Sequence, residues 1–171
     1  MLIRPNAFER SGGLAAIRNQ IIDDCALAKA VKSSGGGVWL GVTSDTRSLR
    51  AYAGFAEIER MIARTAFNQL GHSALILAGA IVGLTLMYVL PVLLLLSGNA
   101  TLMALGAVAS LMMLIAYLPM VRFYGLNPAW GFTLPLSAAF YMAATAHSAF
   151  RFWSGRGGEW KGRAQDTHVT D

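Results

Sequence analysis

Eighty-six consecutive residues between Arg64 and Arg151 carry one formal charge, Arg122. The run divides into three apolar stretches, 74–96, 100–121 and 129–150. Each holds roughly 20 residues, the length that crosses a ~30 Å hydrocarbon core at 1.5 Å per residue. A helix on the surface of a soluble domain keeps a polar face, and these stretches have none. The sequence therefore predicts a mostly α membrane protein with three apolar membrane helices spanning 73–150. The third is the least hydrophobic, holding Thr133, Ser137, Thr145, His147 and Ser148.

The rest of the chain is short and charged. Residues 1–64 contain nine Lys/Arg and six Asp/Glu, the balance of a water-facing piece. The apolar block takes about half of 171 residues, too much to leave room for a large soluble catalytic domain. A net charge of +5 gives no nucleic-acid footprint. The basic residues collect at the membrane edges instead: Arg60 and Arg64, then Arg122, then Arg151, Arg156, Lys161 and Arg163. There they anchor helices and meet anionic lipid headgroups, so membrane lipid is the expected partner. Cys25 is the lone cysteine, and no His/Cys cluster has metal-ligand spacing. Residues 1–18 lack the apolar core of a signal peptide, so insertion falls to the internal spans.

Local patterns organise the front half. Pro5–Arg10 reads as a short helix stopped by Ser11-Gly12-Gly13, and 21–32 as a second helix leaving through Ser33-Ser34-Gly35-Gly36-Gly37. Val38-Trp39-Leu40-Gly41-Val42-Thr43 predicts a short β-strand. Helix, glycine turn and strand together predict a partial α/β layer over 1–53. Residues 54–72 form a different object. Phe55, Ile58, Met61, Ile62 and Phe67 share one helix face opposite Glu57, Glu59, Arg60 and Arg64, the pattern of an amphipathic helix lying in the membrane interface.

Ser97-Gly98-Asn99 makes a tight uncharged turn, so the first two stretches form an antiparallel hairpin. Gly79-x-x-x-Gly83 permits a close helix contact but is common in apolar segments. If residues 1–64 are cytoplasmic, three full crossings put four Lys/Arg of the 151–171 tail outside, against the positive-inside tendency. Either the tendency is violated or one stretch is re-entrant or interfacial; a tail held on the headgroups of the catalytic side requires the third not to cross.

Asp23-Asp24 is the only candidate for reaction chemistry. Two acids at a helix start serve as dipole partners and caps, and this reading stands beside any catalytic one. The flanking residues resemble a family. Asp23-Asp24-x-x-Leu27-x-Lys29, a glycine turn and an apolar strand resemble the acidic motif of family-2 glycosyltransferases, as does the preceding segment ending in Gly12-Gly13-Leu14. Further matches are Ile22-Asp23-Asp24-Cys25-Ala26-Leu27-Ala28, Arg47-Ser48-Leu49-Arg50, Ala63-Arg64-Thr65-Ala66-Phe67-x-Gln69-Leu70, Arg122-Phe123-Tyr124-Gly125-Leu126 and Gly155-Arg156-Gly157-Gly158-Glu159-Trp160-Lys161-Gly162-Arg163. In that order they resemble the hopanoid-associated family-2 glycosyltransferases over residues 1–164.

The resemblance implies a GT-A-like catalytic remnant in 1–53, with Asp24 as the general base that deprotonates an acceptor hydroxyl and Asp23 supporting it. It implies transfer of a sugar from a nucleotide-sugar, with Mg²⁺ or Mn²⁺, to a hopanoid or polyprenoid lipid. It places the chain in a bacterial inner membrane with 1–64 cytoplasmic. Glu57-x-x-Arg60-Met61 stands where many members carry Gln/Arg-x-x-Arg-Trp; the departures at Glu57 and Met61 leave Arg60 and Arg64 as the cations of the donor-diphosphate region. These enzymes keep an Asp-x-Asp in the half before the acidic pair, and this chain has none. The expectation is a C-terminal acceptor-side portion, inactive alone, with the missing N-terminal half as a partner. The competing expectation is a small non-enzymatic membrane protein or anchor subunit. A transporter is disfavoured because no ionisable residue lies at a span centre.

Overall fold

The computed structural model describes residues 1–18, 20, 22–46, 49 and 52–155, together with the backbone of 159–160 and 163–164. The chain divides into two compact units, Met1–Asp45 and Thr46–Asp171.

The first unit is helical. α1 (Pro5–Arg10) begins with proline in its first turn, where a missing N–H costs nothing, and a 3₁₀ turn follows at Gly13–Ile17. α2 (Asp23–Ser33) buries Leu27 and Val31. It ends in a Schellman motif: Gly36 N–H donates to Val31 O and Gly35 N–H to Lys32 O, with Gly35 at φ +80°. The stretch 38–43 is not a strand. It pairs with nothing among the described residues, and Trp39 and Leu40 stay 85% and 96% exposed. Valines favour extended backbone, but a ladder needs a second strand beside it. The only strands among the described residues are β1 (Glu159–Trp160) and β2 (Arg163–Ala164), two residues each and antiparallel. The expected α/β, GT-A-like remnant is therefore corrected to a small helical unit.

The second unit is a helical bundle. α3 (Phe55–Gln69) starts where Glu57 Oε2 accepts the Ala53 N–H at 2.9 Å, and buries Ile62, Ala63 and Phe67. α3 ends at a second Schellman motif, with Gly71 and His72 both at positive φ and His72 N–H donating to Phe67 O. α4 (Ala74–Leu84) then leads through a π-helical turn (Thr85–Val89) into α5 (Leu90–Leu95). Pro91 has no N–H and crowds the preceding turn, which accounts for the helix widening just before it. Asn99 Oδ1 caps α6 (Ala100–Phe123), accepting from Thr101 and Leu102. A 3₁₀ turn (Pro128–Thr133) precedes α7 (Leu134–Trp153).

Two helices are long and apolar enough to cross a membrane, Ala74–Leu95 and Ala100–Phe123. Only 11% and 6% of their apolar windows are buried, so neither is the core helix of a soluble domain, and both lie far from residue 1. An apolar surface of this kind points to a membrane protein. Two such helices, not three, correct the expectation for 129–150. α7 carries more hydroxyls than the spans and buries Ala138, Ala144, Ser148 and Ala149, a small-residue face that packs against α3 and α4. The amphipathic helix expected over 54–72 is present as α3, and much of its apolar face is spent on α7.

The spans come into close contact at Gly106. A Cβ there would fall 2.6 Å from Pro91 O and 2.9 Å from Leu94 Cβ. Gly79 and Gly83 face open space.

Candidate functional site

Asp23 and Asp24 occupy the first turn of α2, where acidic side chains suit the helix dipole. Both are exposed. Asp23 Oδ1 accepts the Asp24 N–H at 3.0 Å, and Asp24 Oδ1 accepts the Cys25 N–H at 2.7 Å. The pair thus covers two of the amide groups that a helix start leaves open. Ile22 is the N-cap and supplies no side-chain bond, so these acids are the available caps. Cys25 is exposed too. Slight desolvation, then the charge of Asp24 and a hydrogen bond to it, hold the Cys25 thiol above its ordinary pKa. Helix starts usually lower a thiol pKa, and here the neighbouring acid works against that effect.

Arg60 is exposed and Arg64 half-buried, one turn apart on α3. They belong to the second unit, Asp23 and Asp24 to the first. Glu57 of the expected Glu57-x-x-Arg60 motif is engaged at the helix start through Ala53. Within Arg47-Ser48-Leu49-Arg50 only Leu49 is described, and the tail motif beyond Gly155 lies outside the described side chains.

From the sequence His147 reads as a packed or interfacial residue sooner than a ligand, and its partner is not visible there. His147 Nδ1 lies 2.5 Å from Glu59 Oε1, joining α7 to α3 across 88 residues. With side-chain exposures of 46% and 26% the pair is a partly solvated tie, worth about 0–1 kcal/mol. His72 was also missed. Its ring stacks on Phe152 at 4.1 Å, while Phe67 meets the His72, Phe152 and Trp153 rings edge-on at 5.4–5.5 Å. Gly71 beside His72 was the available signal, since a glycine after an amphipathic run marks a helix exit.

No three His, Cys, Asp or Glu side chains among the described residues converge to hold a metal ion. The Mg²⁺ or Mn²⁺ implied by the resemblance has no donor set on these residues. What the acidic pair can do unaided is accept a proton from, or hydrogen-bond to, a hydroxyl brought to the start of α2.

No family model matches the chain, and the searches of curated proteins and of solved structures found no match either.

Proposed function

We propose that this chain is the membrane-held, acceptor-side portion of a lipid-modifying family-2 glycosyltransferase, with Asp24 as general base and Asp23 supporting its position and charge. The observation that carries the reading is an exposed pair of carboxylates at a helix start, in a chain whose second unit is built for a bilayer. The ordered motif resemblance supplies the reaction class: a sugar passes from a nucleotide-sugar to a hopanoid or polyprenoid hydroxyl. An alcohol attacking an anomeric carbon must lose its proton, and a carboxylate within hydrogen-bond reach takes it. Arg60 and Arg64 supply positive charge toward a donor diphosphate. The remainder of the donor site and the metal site are assigned to sequence other than these residues.

The membrane in this reading is a bacterial inner membrane. Two crossings put every one of the 14 Lys/Arg on one side and leave the 97–99 turn uncharged on the other. The positive-inside tendency then makes residues 1–64 and the tail cytoplasmic. The conflict raised by three crossings disappears.

The amide bonds accepted by Asp23 and Asp24 favour a second reading, a non-enzymatic membrane anchor in which the acids only cap α2. Expression together with its flanking reading frames separates the two. Transfer of labelled sugar to membrane lipid that falls about 10²-fold in Asp24→Asn, with insertion unchanged, supports the enzyme. Transfer within a few-fold of wild type removes Asp24 from the mechanism. No transfer by the wild-type locus leaves the anchor.

A further inference from the structure

α3 and α4 diverge from the turn at Gly71-His72, and α7 packs against both. Between the three helices lies a groove of about 400 Å³. Ile62 and Ala66 of α3, Ala80 and Leu84 of α4, and Met142 of α7 form its apolar walls. No charged side chain lines it, and its polar groups are Thr65 and Gln69 of α3, the latter beside the turn, and Tyr141 and Thr145 of α7.

We infer that this groove holds one hydrocarbon chain of a membrane lipid. Three observations select that occupant. The α4 wall belongs to the span Ala74–Leu95, whose outer surface is covered by lipid in any bilayer, so the groove continues a lipid-facing surface. Its lining runs from Met61 to Leu70 along α3, about 13 Å at the helical rise, so the groove is elongated as a hydrocarbon chain requires. The volume falls within the 300–1,000 Å³ typical of small-molecule sites, and eight of the twelve lining side chains are Ile, Leu, Met or Ala, which leaves most of the wall without a partner for water. Gln69, beside the turn, stands where a carbonyl or hydroxyl near the head of the lipid would find a hydrogen bond. The inference rests on the groove and on the membrane crossing of Ala74–Leu95, and does not depend on glycosyl transfer.

The test uses the full chain in phosphatidylethanolamine–phosphatidylglycerol vesicles doped with a phosphatidylcholine that carries a diazirine on one acyl chain. After illumination, labelled residues are mapped by mass spectrometry. Groove residues Ala66, Ala80 and Leu84 should label more strongly than Leu111 and Ile115 on the exposed face of α6. Ala80→Trp and Ala66→Phe each fill the groove from a different wall. Each should cut groove labelling about tenfold, equivalent to ~1.4 kcal/mol, while α6 labelling stays unchanged as the control for folding. Groove labelling no stronger than that of α6 in the wild-type chain, a result that needs no variant, would overturn the inference. So would groove labelling that survives both substitutions.

Discussion

The backbone N–H of Phe67 donates to Ser148 Oγ at 3.0 Å, joining helices 81 residues apart in sequence. Phe67 is 1% exposed and Ser148 4%, so the bond is shielded from water. Around it Leu77 and Ala149 complete a buried cluster of the bundle, with Leu70, Ile81 and Phe152 packed against it. This bond and this cluster fix α7 against α3 and α4, and so define the groove those helices enclose.

Ser148→Ala should lower the stability of the bundle by about 1 kcal/mol, the usual net worth of a buried hydrogen bond. Ser148→Leu should cost more, about 1–3 kcal/mol, because Ala144 and Ala149 beside it are fully buried and leave no room. Denaturant titration in mild detergent, followed by tryptophan fluorescence, measures both. Equal stability of wild type and Ser148→Leu would show that α7 does not pack as described.

Gly106→Ala should loosen the hairpin of spans. The added Cβ would meet Pro91 O and the Leu95 amide N at 2.6 and 2.9 Å, both backbone atoms that cannot rotate away. The helices must then separate, at a cost of about 1–3 kcal/mol. Gly79→Ala and Gly83→Ala meet open space and should be close to neutral. Thermal unfolding of the three variants checks the ranking.

Cys25 offers a pH readout of the acidic pair. Because its thiol pKa is raised, the thiolate is scarcer at any given pH below that pKa than for an unperturbed cysteine. Alkylation by iodoacetamide should therefore rise with pH to a midpoint above the ordinary cysteine value. Asp24→Asn removes the negative charge and weakens the hydrogen bond, so the midpoint should move down and alkylation near pH 8 should speed up. With one cysteine in the chain the signal has a single source. A midpoint that ignores the substitution would mean that Asp24 does not face the thiol.

The parts of this fold legible in the sequence were those set by local rules. The hairpin of spans followed from apolar length and from Ser97-Gly98-Asn99, and Asn99 does cap α6. The α2 start at Asp23-Asp24 and its glycine exit followed from helix-end chemistry. What depended on partners distant in sequence was not legible. Val38 to Thr43 looked like a strand because β-branched residues suit one, yet nothing among the described residues pairs with them. The 129–150 stretch looked like a span because length and apolarity cannot tell a lipid-facing helix from one that buries Ala144 and Ser148 against neighbours. Gly79 and Gly83 carried the spacing of a helix contact, while the contact itself fell on Gly106, which only the register against Pro91 selects. For the candidate site, the acids were legible as a pair, and the Glu59–His147 tie and the groove were not.

The central claim, a chain with two membrane crossings rather than three, is tested most directly by cysteine accessibility. Native Cys25 reports on the first unit; Ser97→Cys and Ser154→Cys, each combined with Cys25→Ser, report on the turn and the end of α7, and both serines are exposed. A membrane-impermeant maleimide is applied to intact spheroplasts and to inverted vesicles. Two crossings predict that Cys25 and Ser154→Cys react from the same side and Ser97→Cys from the opposite one. Ser154→Cys reacting from the side of Ser97→Cys would mean that α7 crosses as well, and the two-span account would be wrong.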